Sequence, residues 1–154
     1  SDRAYRGEYQ DKSGPLIREE LESFLSQNFN RYKMDHKIIP DEKKALQNTL
    51  EHARNNEYDL LITTGGTGIG SRDIAPETLS PYMDKQLPGI MEMIRIKFGA
   101  DNPGALLSRS VAGVSGKMLT YALPGSSKAV REYLEVILPT LKHSFYMVND
   151  LDVH

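Results

Sequence analysis

The run Leu60-Leu61-Ile62-Thr63-Thr64-Gly65-Gly66-Thr67-Gly68-Ile69-Gly70-Ser71-Arg72-Asp73 decides how the rest of the chain is read. Tyr58 to Thr64 is a short continuous apolar stretch of the kind a buried parallel strand shows. Four glycines then crowd into residues 65–70. At the carboxyl end of a parallel strand, such a turn lets backbone N–H groups point at an anion with no Cβ in the way. The spacing excludes two familiar nucleotide motifs. Gly66-x-Gly68-x-Gly70 is not G-x-G-x-x-G, and Gly65-x4-Gly70 is followed by Ser71-Arg72 instead of Lys-Ser/Thr. A tight strand-to-helix turn needing positive φ is the alternative, but four glycines directly after a buried strand favour an anion site.

Upstream of this run, Pro40-Asp41 opens a helix whose Ala45, Leu46, Thr49, Leu50 and Ala53 share one face until Asn55-Asn56. Before it, Tyr32, Met34, Ile38 and Ile39 predict a strand over Asn30 to Pro40, and Pro15 to about Asn28 predicts a helix. Residues 1–14 read as loop. A domain of this class begins with a strand, so one is expected upstream of Ser1. Downstream, helices are predicted over Pro76–Met83 and Pro88–Phe98, and a turn over Gly99–Gly104. Strands over Leu106–Val114 and Met118–Leu123 join at Ser115-Gly116-Lys117. A last helix leads from Pro124-Gly125-Ser126-Ser127 through Val148, interrupted at Pro139. The expected fold is α/β and three-layered, a mostly parallel sheet with helices on both faces and one short antiparallel hairpin, all in a single domain over 1–154.

The totals narrow the function. With 154 residues, the chain suits one domain with a real core. A formal net charge of -2 gives no general attraction to nucleic acid or to an anionic membrane, so any phosphate must be bound locally. Cysteine is absent, which removes disulfides, thiolate nucleophiles and Cys-ligated zinc. No apolar run approaches the roughly 20 residues that span a bilayer, and the polar start SDRAYRGEYQDKSG is no signal peptide. A cytoplasmic location is expected. His36, His52, His143 and His154 lack metal-ligand spacing, and Met83, Met91 and Met93 suit a core.

Asp41 and Asp73 are separated by one helix and one strand, a single αβ step, so both are expected at the same rim of the sheet. Two carboxylates beside an anion loop repel the ligand unless a cation lies between them. Mg²⁺, which takes one or two carboxylates together with substrate phosphate oxygens, is the natural mediator. Each has a plainer alternative: Asp41 favouring the positive end of its helix, and Asp73 pairing with Arg72 at the surface. Arg72, Arg109 and Lys128 are candidates to neutralise phosphate. Lys128 is the best placed, because Gly125-Ser126-Ser127 makes a second anion site at the start of the last helix. Ser108 and Ser110 are candidate hydroxyl ligands or ordinary alternating strand residues.

These residues resemble the molybdopterin adenylyltransferases of molybdenum cofactor biosynthesis, a family that includes bacterial Mog and MoaB proteins and the G domains of gephyrin and plant Cnx. The resemblance runs over essentially the whole chain. It rests on Ser1-Asp2-Arg3 with Asp11-Lys12-Ser13-Gly14, Pro40-Asp41, Thr64-Gly65-Gly66-Thr67-Gly68, Arg72-Asp73 with Pro76-Glu77, Pro88-Gly89, Leu107-Ser108-Arg109 and Leu123-Pro124-Gly125. It implies an α/β domain, usually a homotrimer, that uses ATP and Mg²⁺ to attach AMP to the terminal phosphate of molybdopterin, with pyrophosphate released and the product destined for a molybdenum insertase.

By the same resemblance, Asp41, Asp73 and Ser108 match catalytic positions, with Asp41 and Asp73 holding the metal. Thr64, Gly65, Gly66, Thr67, Gly68 and Arg72 fall on the nucleotide side. Ser1, Asp2, Arg109, Ser110, Pro124, Gly125, Ser126 and Lys128 fall on the molybdopterin side. Thr67 and Arg72-Asp73 differ from the Gly-Gly-Val-Ser loop of the related insertase domains and from the Gly-Gly-Leu-Gly loop of CinA-type pyrophosphatases. A pterin-binding scaffold of the MoaB type without catalysis, and a CinA-like nucleotide pyrophosphatase, are the alternatives. Two positions depart from the family: Ala75 stands where Thr is usual, removing a hydroxyl expected to cap the following helix, and Ser127 stands where Pro is common.

Overall fold

The computed structural model describes Tyr5, Gly7 and residues 10–151, so Ser1 and Asp2 lie outside the described residues. The elements run α1 (Ser13–Asn28), α2 (Lys43–Asn55), β1 (Leu60–Thr64), α3 (Ala75–Leu79), β2 (Lys85–Gln86), α4 (Pro88–Gly99), β3 (Val111–Ser115), β4 (Met118–Leu123) and α5 (Ser127–Val148). Short 3-10 turns cover Ser80–Tyr82 and Pro103–Leu107.

The four strands form one sheet in the order β1-β4-β3-β2. β1 runs parallel to β4, from Leu60 beside Leu119 to Thr64 beside Leu123. β3 and β4 form the expected hairpin, with Ser115 opposite Met118, and β2 adds to β3 antiparallel. The sheet is therefore mixed, where a mostly parallel one is expected from the sequence.

Alternation along the strands produces three layers. Leu119, Tyr121 and Leu123 of β4, with Leu60 and Ile62 of β1, face a cluster built with α1, α4 and α5, in which Leu16, Ile94 and Ile137 are buried. Met118 and Ala122 of β4, with Leu61 of β1, face a second cluster of Leu46, Leu50 and Ala53 from α2 and Leu79 from α3. Leu50, Leu79, Leu119 and Leu123 are fully buried, and each such side chain stabilises the fold by roughly 2 kcal/mol relative to exposure. One buried group breaks the pattern. The Tyr121 hydroxyl makes no hydrogen bond among the described residues, and burial pushes its pKa up to about 12. Thr140, the smaller and opposing influence on that value, directs its own proton to Ile137 O at 2.8 Å.

Several expectations change. Asn30–Pro40 forms no strand: residues 31–40 and β1 line one cavity without pairing, and an apolar segment becomes a strand only when a ladder partner satisfies its backbone. The helix expected over Pro76–Met83 stops at Leu79, and Pro81 lies in a 3-10 turn. Lys85–Gln86 is an additional strand. Leu106 and Leu107 end a 3-10 turn that the Asn102 side chain caps, so β3 starts only at Val111. Pro139 does not interrupt α5, which continues through it to Val148. Met83 and Met91 are core, but Met93 is 54% exposed. Ala75 is the first residue of its helix, not the cap; Ile74 holds the cap position, and Ala75 is buried against the glycine turn. Among the described residues, no helix is long and apolar enough to cross a membrane.

Candidate active site

A cavity of about 1670 Å³ is lined by β1 and by the turns that leave the carboxyl ends of β1 and β4. Because those two strands are parallel neighbours, the loops that leave them emerge side by side. They are also bonded to each other. Gly65 N donates to Leu123 O at 2.9 Å, and Thr64 Oγ1 donates to Pro124 O at 2.8 Å. Gly65 and Gly66 have φ of 98° and 67°, the left-handed region where a Cβ is strained, and that sequence of conformations turns the backbone sharply out of β1. A Cβ on Gly125 would lie only 3.5 Å from the Gly65 Cα, so the two turns are in close contact.

Beyond Gly66 the loop folds over the Asp73 carboxylate. Gly70 N donates to Asp73 Oδ2 at 2.8 Å while Asp73 N donates to Gly70 O at 3.0 Å. A Cβ at Gly68 would sit 2.8 Å from the same Oδ2, so a side chain at residue 68 would push this carboxylate aside. Arg109 holds the outside. Its backbone N donates to Thr67 O (2.8 Å), its Nε to Gly68 O (2.7 Å) and its Nη2 to Asp73 O (2.7 Å), and Nη1 meets the Glu77 carboxylate. The hydrogen bond from Arg109 draws the Glu77 pKa below the ordinary glutamate value.

The second turn is held from α1 and capped by α5. Ser13 Oγ donates to Gly125 O at 2.8 Å, and Asp11 Oδ1 receives the Ser13 and Gly14 amides at 3.1 and 3.0 Å. Asp11 Oδ2 also pairs with His36 Nε2 at 3.2 Å, tying the 31–40 segment to the same corner. Ser126 is the N-cap of α5, its hydroxyl accepting from Ala129 N at 3.1 Å. Farther along the cavity, Tyr58 donates its hydroxyl to Asp35. That bond holds the tyrosine pKa above its usual value and the aspartate below.

Of the residues singled out from sequence, the cavity wall unites Asp41, Asp73 and Ser108 with 64–68 and 124–126. Arg72, Arg109, Ser110 and Lys128 are not among its lining residues. Arg109 is committed to the loop, Ser110 is buried, and Lys128 reaches toward Glu132 at 3.7 Å. Residues that the sequence did not single out as functional also shape the site. Glu77 orients Arg109, and Tyr133 of α5 donates to Ser108 Oγ at 2.8 Å. The Pro76-Glu77 pair carried a signal for the first, and nothing local marks the second. Among the described residues, no group of three or more His, Cys, Asp or Glu could hold a metal alone.

Residues 1–143 match the family described as "Probable molybdopterin binding domain". The chain belongs to this family. Its relatives are proteins of molybdenum cofactor biosynthesis. A protein of Helicobacter pylori strain J99 named molybdopterin adenylyltransferase is 38% identical over 144 residues, 93% of this chain and 80% of that protein. Gephyrin of Dictyostelium discoideum is 36% identical over 97% of this chain, which spans only 21% of that longer protein. Among solved structures, the molybdopterin biosynthesis enzyme MoaB of Thermus thermophilus superposes with a TM-score of 0.85 at 38% identity, covering 97% of this chain and 92% of its own. A structure of MogA gives 0.86 at 34% identity, covering 96% and 94%. The mixed sheet of this molybdopterin-binding family member is thus that of an established α/β fold. CinA of Thermoplasma acidophilum, at 17% identity and a TM-score of 0.64, shares the fold alone.

Proposed function

We propose that the chain is a molybdopterin adenylyltransferase that transfers AMP from ATP to the terminal phosphate of molybdopterin and releases pyrophosphate. The observation that supports this reading is one cavity whose lining includes the glycine turn, Asp41, Asp73 and a second turn at a helix N-terminus. Adenylyl transfer needs two anionic groups held in line while charge is stabilised, and little covalent help. ATP lies along Gly65 to Gly68, where three of the four residues carry no Cβ. The pterin phosphate lies at Pro124-Gly125-Ser126, against the N-terminus of the 22-residue α5.

Asp41 and Asp73 would hold Mg²⁺, which would neutralise phosphate charge. Two protein carboxylates with the remaining ligands from substrate suit this ion. Arg109 keeps the loop and the Asp73 backbone in place; in this reading it organises the site from outside the cavity. Met93 and Ile96 on α4, with Leu106 and Leu107, are exposed apolar residues, which supports self-association, here proposed as a homotrimer. Transfer of the product to a molybdenum insertase and action in the cytoplasm complete the proposal.

Incubation with ATP, Mg²⁺ and molybdopterin, followed by chromatography, is expected to yield adenylylated pterin. Asp73→Asn should abolish it while molybdopterin binding remains. Near wild-type turnover by that variant would remove the metal role, and AMP release from ADP-ribose without pterin would replace the transferase by a pyrophosphatase.

A further inference from the structure

We propose that Tyr133 is a positioning residue that fixes the Ser108 hydroxyl as a hydrogen-bond donor to a phosphate oxygen of the ligand on the glycine turn. The inference deepens the proposed function and rests on its placement of ATP. Three hydroxyls form a chain. Tyr133 of α5, only 3% exposed, donates to Ser108 Oγ at 2.8 Å, and Ser110 Oγ, also 3% exposed, lies 2.8 Å from the same oxygen. Ser108 lines the cavity, whereas Tyr133 and Ser110 do not.

The Ser108 backbone is itself anchored. Its N–H donates to Ala105 O at 3.2 Å and its carbonyl receives Arg95 Nη1 at 3.2 Å. The next residue, Arg109, donates its N–H to Thr67 O, which sets Ser108 beside the outer half of the glycine turn. The oxygen is therefore fixed in place, and only the direction of its proton is open.

A serine hydroxyl has one proton and two acceptor sites. Tyr133 fills one acceptor site with a phenolic proton, a better donor than an aliphatic hydroxyl. Ser110 can fill the other, since either member of that pair can donate. With Ser110 as the donor in that pair, both acceptor sites are filled and the Ser108 proton is left for the cavity side, where an anion accepts it. A chain of hydroxyls aligned in this way also polarises its terminal O–H. Without the phenol, one Ser108 acceptor site is open to water, and the preference for an anionic partner weakens.

The test is the dissociation constant of ATP, measured calorimetrically with Mg²⁺ and no pterin, for wild type, Tyr133→Phe, Ser108→Ala and the double variant. Phenylalanine keeps the buried ring, and thermal unfolding checks that the fold is retained. Tyr133→Phe is expected to weaken ATP binding about tenfold, the effect of one lost hydrogen bond to a site that favours charge. In the Ser108→Ala background the same change is expected to do nothing further, because a positioning group acts only through what it positions. A purely structural role would give the same loss in both backgrounds, and that result overturns the proposal. So does equal affinity of wild type and Tyr133→Phe. A wild-type protein that binds ATP yet forms no adenylylated pterin refutes the transferase and leaves this titration decisive for Tyr133. One that binds no ATP overturns both.

Discussion

Removal of the Arg109 side chain isolates what the guanidinium does to the glycine turn. It donates to Gly68 O and Asp73 O, both at 2.7 Å, and pairs with Glu77. Hydrogen bonds from a charged donor contribute about 1.5–3 kcal/mol each. The side chain is 36% exposed, so water replaces part of each bond, and the exposed Glu77 pair adds at most about 1 kcal/mol. A net local loss of about 2 kcal/mol follows for Arg109→Ala. The loop is expected to open without unfolding the sheet, since none of the broken bonds belongs to a strand ladder. The readout is native-state exchange of the Gly70 amide, which donates to Asp73 Oδ2 at 2.8 Å. Its exchange should rise roughly 30-fold, the equivalent of about 2 kcal/mol. The thermal midpoint should fall by less than the roughly 4–8 °C that the same free energy would give if it destabilised the whole domain. Arg109→Lys should recover only part of the protection, because one ammonium cannot reach three acceptors as a fork does. Unchanged Gly70 exchange in the alanine variant would refute the clamp.

Tyr121→Phe removes a buried hydroxyl that has no partner among the described residues, so chemical denaturation should find the variant as stable as wild type or up to about 1 kcal/mol more stable. Glu77 has a folded pKa below its reference of 4.5, so its pairing with Arg109 stabilises the protein above that reference and is lost as the pH falls through the folded value. The stability difference between wild type and Glu77→Gln should therefore be flat, at about 0.5 kcal/mol, from pH 7 to pH 5 and shrink below pH 4.5. A difference that grew on acidification would reverse that assignment.

The parts of the site that local chemistry specifies were legible in the sequence. Gly65 and Gly66 both have positive φ, the tight-turn conformation that the sequence offered as the alternative to an anion site. Ser126 before Ser127 reads as a helix start, and its hydroxyl does cap α5. What stayed hidden depends on pairing and packing over long separations. Tyr32, Met34, Ile38 and Ile39 have a strand's composition, but composition supplies no ladder partner. Lys85-Gln86 is too short and too polar to announce a strand, and it is recruited by the exposed edge of β3. Arg109 looked like a phosphate ligand because its charge is visible in sequence, while the Gly68 and Asp73 carbonyls that engage it are visible only in space. Tyr133 lies 25 positions from Ser108, and no periodicity predicts that their hydroxyls meet.

The parallel ladder between β1 and β4 is a fixed ruler. Each of the two turns continues one of its rails, and Gly65 N to Leu123 O forms its last rung. Thermal motion therefore carries both turns together, and the gap between whatever rests on one and whatever rests on the other is buffered against breathing of the surrounding helices. A protein built this way can bring two substrates to a set separation without hinges or closing lobes, and exchange of side chains around either turn can alter what is held while leaving the span unchanged.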